Sequence, residues 1–339
     1  MRLRVLTGPL GAVAIVVVLG SATMLAAGVS PIVGFAALVG GALGGRQQIA
    51  ETLVQTTALL FPALGICLAF RGGLFNIGAE GQLLAGGLCA AAAGIHAFAP
   101  APLEIAAVLC AGALGGAAWG AIAGMMKARL QASEIISTLM LNFVALFAAQ
   151  YLVNGPLRAP HAAGPETAAL APQAVLPVLI PQTRLTIALP LAVLLAIVLQ
   201  FVLSRTTYGF ALRALGDAPE AARRNGIAVA RTTWTALALS GACAGLGGAA
   251  IVMGELHRFN TQLSPGYGFI AIAVALVGDL QPLWVCLSAL AFGMLQSGGL
   301  AMQAIAQVPK DAIGVIEGVI VLVLAARRYI VTKKEIAAA

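Results

Sequence analysis

The sequence predicts an all-α fold: a polytopic membrane helical bundle of about ten transmembrane helices, with glycine-broken segments between them. Three observations carry this. Hydrophobic residues make up 60% of the 339 and charged residues only 9%, where soluble domains carry about 25% charge. Apolar runs long enough to cross a bilayer, which takes roughly 20 residues, recur along the chain. They are continuous and rich in Leu, Ala and Gly rather than alternating, which excludes a membrane β-barrel. The mean hydropathy of +0.99 leaves little room for a soluble domain, so residues 1–339 read as one membrane domain.

In chain order, the first helix is expected over Pro9–Gly28. Arg2 and Arg4 precede it as in a signal peptide, but the apolar run continues without a small-x-small cleavage site, so a retained helix is expected. Ser30–Gly45 reads as a short re-entrant or interfacial piece. The second helix spans Ile49–Phe70, and the glycine-broken stretch Arg71–Gln82 follows. Helices three to five cover Leu83–Phe98, Leu103–Met126 and Glu134–Val153, with Pro100 and Pro102 between the first two. A proline-rich loop, Asn154–Thr183, leads to the sixth helix, Leu185–Leu203. The polar island Ser204–Arg231 separates it from the seventh, Thr232–Met253. A polar loop, Glu255–Tyr267, is followed by the eighth helix, Gly268–Leu280, the ninth, Leu283–Leu300, and the tenth, Ala312–Ala326, with a basic tail at Arg327–Lys334. Gly112, Gly116, Gly120 and Gly124, and likewise Gly241, Gly245 and Ala249, recur every four residues, the spacing of close helix packing in lipid.

The charges orient this bundle. Alternating the ten spans places Arg2, Arg4, Arg71, Lys127, Arg129, the island arginines (Arg205, Arg213, Arg223, Arg224, Arg231), Arg327, Arg328, Lys333 and Lys334 on one side. Only Arg46, Arg158, Arg184, Arg258 and Lys310 lie on the other. The positive-inside rule makes the first side cytoplasmic, with both termini. The net charge of +7 therefore speaks for membrane orientation and lipid contact, not for nucleic acid. Cys67, Cys89, Cys110, Cys243 and Cys286 lie singly in apolar runs and read as small buried hydrophobes. With His96, His161 and His257 scattered, neither a disulfide framework nor a metal site is expected.

Candidate functional residues are polar groups stranded in apolar sequence, where an ionisable side chain is by default a functional candidate. GLFNIGAEGQ, Gly73–Gln82, sets Asn76, Glu80 and Gln82 among glycines. Broken backbone at membrane depth is tolerated only when buried in protein or lining a wet cavity. Glu80 reads either as functional or as a helix cap, and lies near enough in sequence to pair with Arg71. Ser137, Thr138 and Asn142 in SEIISTLMLNF extend the set, and Gln296, Ser297 and Glu317 interrupt later helices. Amides and hydroxyls suit a neutral polar solute better than an ion. No phosphate loop, nucleophile elbow or H-E-x-x-H motif occurs, so no catalysis and no cofactor are expected, and any nucleotide-driven step belongs to another chain.

In the island, Asp217 reads as an N-cap, Pro219 as a first-turn residue and Glu220 as the capping-box acid. Arg223 and Arg224 favour the C-terminal end of the dipole, and Gly226 terminates. A helix of about two turns on the cytoplasmic surface follows, held by anionic lipid or docked to a partner.

EAARRNG, Glu220–Gly226, resembles the E-A-A-x-x-x-G core of the cytoplasmic loop in ATP-binding-cassette (ABC) importer permeases, without that motif's downstream Ile and Leu-Pro. GLFNIGAEGQ, IISTLMLNF and YLVNGPLR resemble the branched-chain amino acid, simple-sugar and nucleoside branch, most closely its nucleoside or simple-sugar permeases. The resemblance runs from about Ile49 to Arg328. It implies a bacterial inner-membrane permease that pairs with a second homologous permease, a cytoplasmic ATPase subunit and a periplasmic or lipid-anchored solute-binding protein. It also implies a coupling role for Gly216, Asp217, Glu220, Ala221, Ala222 and Gly226. Asn76, Glu80, Gln82, Ser137 and Asn142 are then expected along the translocation path. The alternatives are a pentose or branched-chain amino acid cargo, an ion-driven secondary transporter, or a non-transporting scaffold.

Overall fold

The computed structural model describes residues 9–160, 162, 164–309, 312–316, 318 and 319, with side chains from residue 17 onward apart from the gaps. Arg2, Arg4, His161, Lys310, Glu317, most of the expected tenth helix and the basic tail lie outside the described residues. Among those described there is no β-strand, only two isolated bridges, Glu166 to Asn260 and Val178 to Thr186.

The helices are α1 (Pro9–Ala26), α2 (Pro31–Leu43), α3 (Arg46–Arg71), α4 (Ala79–Gly94), α5 (Ala101–Leu130), α6 (Glu134–Asn154), α7 (Ala188–Arg205), α8 (Thr207–Asp217), α9 (Pro219–Arg224), α10 (Val229–Ile251), α11 (Tyr267–Val277) and α12 (Pro282–Ala306). Every expected segment that is described is helical; the ten expected spans are not all found among the described residues. Among the described residues six helices are long and apolar enough to cross a membrane: α3, α5, α6, α7, α12, and α10 with the turn of π-helix Val252–Leu256 that extends it. A seventh would be the pair α1 and α2, bent by 115°. The expected third and eighth spans are α4 and α11, of 16 and 11 residues. At about 1.5 Å per residue neither covers the roughly 30 Å of bilayer hydrocarbon.

The chain divides into two compact units, residues 1–55 with 291–339 and residues 56–290; the division falls inside α3 and α12. The first unit packs Met24, Ala37, Met302, Ala306, Val308, Ile313 and Ile316 into a core. Thr52 Oγ1 donates to Ala42 O at 2.9 Å, and Ser297 Oγ to Gly41 O at 3.1 Å.

The second unit is built on α4, α5 and α10. The two small-residue stripes face each other. A Cβ on Gly116 would overlap Gly241 O, one on Gly120 would overlap Leu237 O, and one on Gly112 would lie 2.6 Å from the Ala249 methyl. No larger side chain fits between α5 and α10 along this seam, so their backbones touch. Cys67 and Cys243 are buried, but Cys286 is half-buried and Cys89 and Cys110 are exposed, contrary to the expectation of burial.

At one end, the loop between α6 and α7 is strapped to the segment after α10. Thr167 N donates to Phe259 O (3.0 Å), Leu170 N to His257 O (2.8 Å) and Leu176 N to Met253 O (3.1 Å). The Arg258 guanidinium meets the Glu166 carboxylate at 2.6 Å, and Phe259 is fully buried.

The polar island lies at the opposite end and differs from expectation. It holds two helices. Thr206 caps α8, its Oγ1 accepting from Gly209 N at 3.1 Å, and Gly209, Leu212 and Leu215 bury one face. The N-cap of α9 is Ala218, not Asp217, which ends α8. The reason is Pro219: its ring disfavours helical backbone at the residue before it, and Ala218 is extended at φ −155°, ψ 88°. The end of α9 is as expected. Gly226 stands at φ +81°, Gly226 N donates to Arg223 O and Ile227 N to Ala222 O, both at 3.1 Å. This is the paired 5→2 and 6→1 pattern of a Schellman motif.

Candidate functional site

The site is the broken segment between α3 and α4. α3 stops at a second Schellman pair, Gly73 N to Phe70 O (3.0 Å) and Leu74 N to Ala69 O (3.1 Å), with Gly73 at φ +68°. Phe75 turns back onto Phe70, their ring centroids 5.1 Å apart. Residues 74–78 form no helix or strand, so their polar groups need partners from elsewhere.

Asn76 supplies the centre. It is fully buried. Its amide nitrogen donates to Ser240 Oγ (2.7 Å) on α10 and to Gln82 Oε1 (2.9 Å). Its Oδ1 accepts from Gly78 N (2.9 Å) and Gln82 Nε2 (3.1 Å). Both donors and both acceptor sites of the carboxamide are used. Asn142, on α6, bridges the entry to α4: its Oδ1 accepts from Gly81 N (2.8 Å) and its Nδ2 donates to Ile77 O (2.9 Å). Gly78, the N-cap of α4, offers no side chain, so a residue from another helix does the capping. Thr138 Oγ1 accepts from Ile77 N at 3.2 Å and donates to Glu134 O at 2.6 Å.

Glu80 does not pair with Arg71. Its Oε2 accepts from Gly268 N (2.7 Å) in the first turn of α11, with Ser264 also a partner, while Arg71 Nε donates to Leu280 O (2.8 Å) beyond the other end of α11. Two short helices, α4 and α11, thus meet at their N-termini, so close that a Cβ on Gly268 would overlap Glu80 N. Asn142 lies eight residues in from Glu134 and Ser240 eleven in from Val229, or about 12 and 17 Å at the helical rise. The network therefore sits near half-depth of a roughly 30 Å hydrocarbon layer.

Of the expected path residues, Asn76, Gln82 and Asn142 hold this segment and Glu80 leads out of it to α11. Ser137 is buried and turned back on Glu134 O (3.3 Å), and its neighbour Thr138 makes the contact instead. Sequence reasoning missed Ser240, a serine in a Gly- and Ala-rich run. It also missed the buried Thr52 and Gln55 of α3; Gln55 donates to Glu51 Oε1 at 3.0 Å. Buried Glu104 is a local cap, accepting from Phe98 N and Ala99 N at 3.1 Å. Among the described residues no group of three His, Cys, Asp or Glu could hold a metal.

Four of the six expected coupling residues lie on one exposed ridge. Asp217, Glu220, Ala221 and Gly226 are exposed, with Arg223 and Arg224 beside them; Ala222 is buried, and Gly216 lies half-buried where α8 meets the end of α3.

Residues 48–325 match the family described as the branched-chain amino acid transport system permease component. The chain is 34% identical over 328 residues to the guanosine ABC transporter permease protein NupP of Bacillus subtilis, covering 96% of this chain and 94% of that one. It is 32% identical to the nucleoside ABC transporter permease protein NupB of Lactococcus lactis, covering 94% and 90%. It is 31% identical to the glucose ABC transporter permease protein TsgB13 of Haloferax volcanii, covering 90% and 83%. No solved structure matches the chain.

Proposed function

This chain belongs to the family of branched-chain amino acid transport system permease components, and we propose that it carries a small neutral polar solute, a nucleoside or a simple sugar. It is the permease subunit of an ABC importer, and ATP hydrolysis belongs to a separate subunit. The observation that carries the cargo class is the half-depth network, made of amides and hydroxyls: Asn76, Gln82, Asn142, Thr138 and Ser240. These groups are spent on one another and on the broken segment, so they set an uncharged wall, with Glu80 the ionisable side chain beside it. The guanosine, nucleoside and glucose names of near-full-length relatives point the same way.

The path runs along the broken segment. Glu80 is the side chain that reaches it, and Asn76, Gln82, Ser137 and Asn142 fix its wall from behind. Discontinuous helices whose ends meet near the bilayer midplane are where transporters bind their cargo. The exposed ridge of α8 and α9, with Asp217, Glu220, Ala221 and Gly226, docks the ATPase, while half-buried Gly216 and buried Ala222 couple that ridge to the bundle behind it. A second homologous permease and a periplasmic or lipid-anchored solute-binding protein complete the importer. We place it in a bacterial inner membrane with both termini in the cytoplasm; the basic residues support this when α4 and α11, each with its irregular segment, are counted as crossings.

The test is uptake by the assembled importer in proteoliposomes, offered labelled guanosine, glucose and leucine. ATP-dependent uptake of guanosine or glucose is expected. Uptake of leucine alone, or uptake by this chain without an ATPase and abolished by an uncoupler, would overturn the reading. For the docking ridge, the exposed Ala221→Arg should insert normally and lose the ATPase on co-purification. Full retention of the ATPase would remove α9 from the interface.

A further inference from the structure

Gly216, in the last turn of α8, rests on the turn that ends α3. A Cβ on Gly216 would lie 2.5 Å from Arg71 O, 3.0 Å from Gly73 N and 3.1 Å from Gly72 C; a Cβ on Gly73 would lie 3.1 Å from Gly216 Cα. The two backbones meet with no side chain between them. One turn earlier on α8, fully buried Leu212 packs on Gly72.

We propose that this glycine contact is the joint through which the cytoplasmic ridge moves the translocation path, with Gly216 and Gly73 as its positioning residues. The inference rests on α8 and α9 being the ATPase-docking ridge. A long side chain at a contact absorbs a displacement by changing rotamer, whereas backbone against backbone has no such slack, and close-packed interiors transmit strain. The receiving turn is stiff, closed by its two Schellman hydrogen bonds with Gly73 at φ +68°. It has two outlets. Three residues beyond Gly73 stands Asn76, the centre of the polar network. From Arg71, the bond to Leu280 O reaches the far end of α11 (2.8 Å), whose near end is held by Glu80. A shift of Gly216 therefore reaches both broken helices that meet at the path.

The test is Gly216→Ala in the complete importer in proteoliposomes. The ATPase is expected to co-purify in wild-type amount and basal hydrolysis to persist. Substrate-stimulated hydrolysis and uptake should fall together about tenfold, a usual size for coupling between two sites. Gly72→Ala, whose added methyl would crowd the Leu212 side chain (Cδ1 at 2.5 Å) and lie 3.3 Å from Ala69 O but has no α8 backbone atom among its nearest neighbours, should stay coupled. Normal coupling in Gly216→Ala would overturn the joint, as would equal loss in Gly72→Ala. Loss of ATPase co-purification in Gly216→Ala would place Gly216 in the docking surface instead. A wild-type measurement guards against a variant that fails to insert: trapping the nucleotide state with vanadate should change amide exchange in α8 and at Ile77 and Gly81 together. A change confined to α8 and α9 would overturn the proposal.

Discussion

At the scale of single residues, the weight of the site falls on carboxamides. Asn76→Ala would leave Gln82, Ser240 and Gly78 N short of partners inside the protein, each at a cost of about 1–3 kcal/mol. Thermal unfolding of the detergent-purified chain should register this as a clear loss, with Asn142→Ala similar because Gly81 N and Ile77 O are orphaned. Since Asn76 and Gln82 bond each other twice, the double alanine variant should cost less than the sum of the singles; strict additivity would show that the pair is not coupled. Asn76, Gln82 and Asn142 were legible because a polar residue in an apolar run announces itself. Ser240 was not, since a serine among glycines and alanines is also ordinary packing, and neither was Gly268, which contributes only a backbone N–H. Ser137 and Thr138 differ by one position, about 100° around a helix, and the alphabet cannot say which hydroxyl turns inward.

At the scale of elements, glycines decide how closely helices approach and where they stop. Gly116→Ala pushes a methyl into Gly241 O, and overpacking of this kind costs about 1–3 kcal/mol. Gly40→Ala in α2 meets nothing within 4 Å and should stabilise by about 0.4–1 kcal/mol through the unfolded chain. Unfolding midpoints of the two variants should move in opposite directions. At the end of α9, Gly226 has open space around it but φ +81°. Gly226→Ala should therefore cost about 1–2 kcal/mol of local backbone strain and weaken ATPase binding. Gly226→Asn should be milder, because Asn tolerates left-handed backbone. The Gly226 stop was readable from sequence; the start of α9 was misplaced by one residue, because Pro219 outweighs the capping chemistry of Asp217. All of α8 went unseen, because Thr207–Asp217 reads with the polar island around it, although Arg213 is the one arginine it holds.

At the scale of the molecule, apolar length was a good guide to where helices lie and a poor one to how many cross the membrane. α4 and α11 are apolar yet short because each is completed by an irregular segment, residues 72–78 and 257–266, that composition alone cannot separate from a span. The end opposite α8 and α9 is closed by the loop before α7 clamped onto the segment after α10. Its firmness should come from Phe259 rather than from the ion pair. Phe259→Ala removes a fully buried ring and should cost about 3–5 kcal/mol. Arg258→Ala breaks a pair whose arginine is 42% exposed and should cost at most about 1 kcal/mol. Thermal unfolding of both variants, with limited proteolysis of the loop, would show whether that order holds.

The broken segment also has a consequence for how the protein can be observed. Residues 74–78 hold almost none of their own shape; Asn142, Thr138 and Ser240 grip them as a receptor grips a peptide. The segment is in effect a tethered ligand of its own bundle. Two amides gripped in this way, Ile77 N in the segment and Gly81 N in the first turn of α4, report on side chains rather than on a helix ladder. If the segment lines the path as proposed, isotope labels placed at those two nitrogens should shift when cargo is added to the assembled importer.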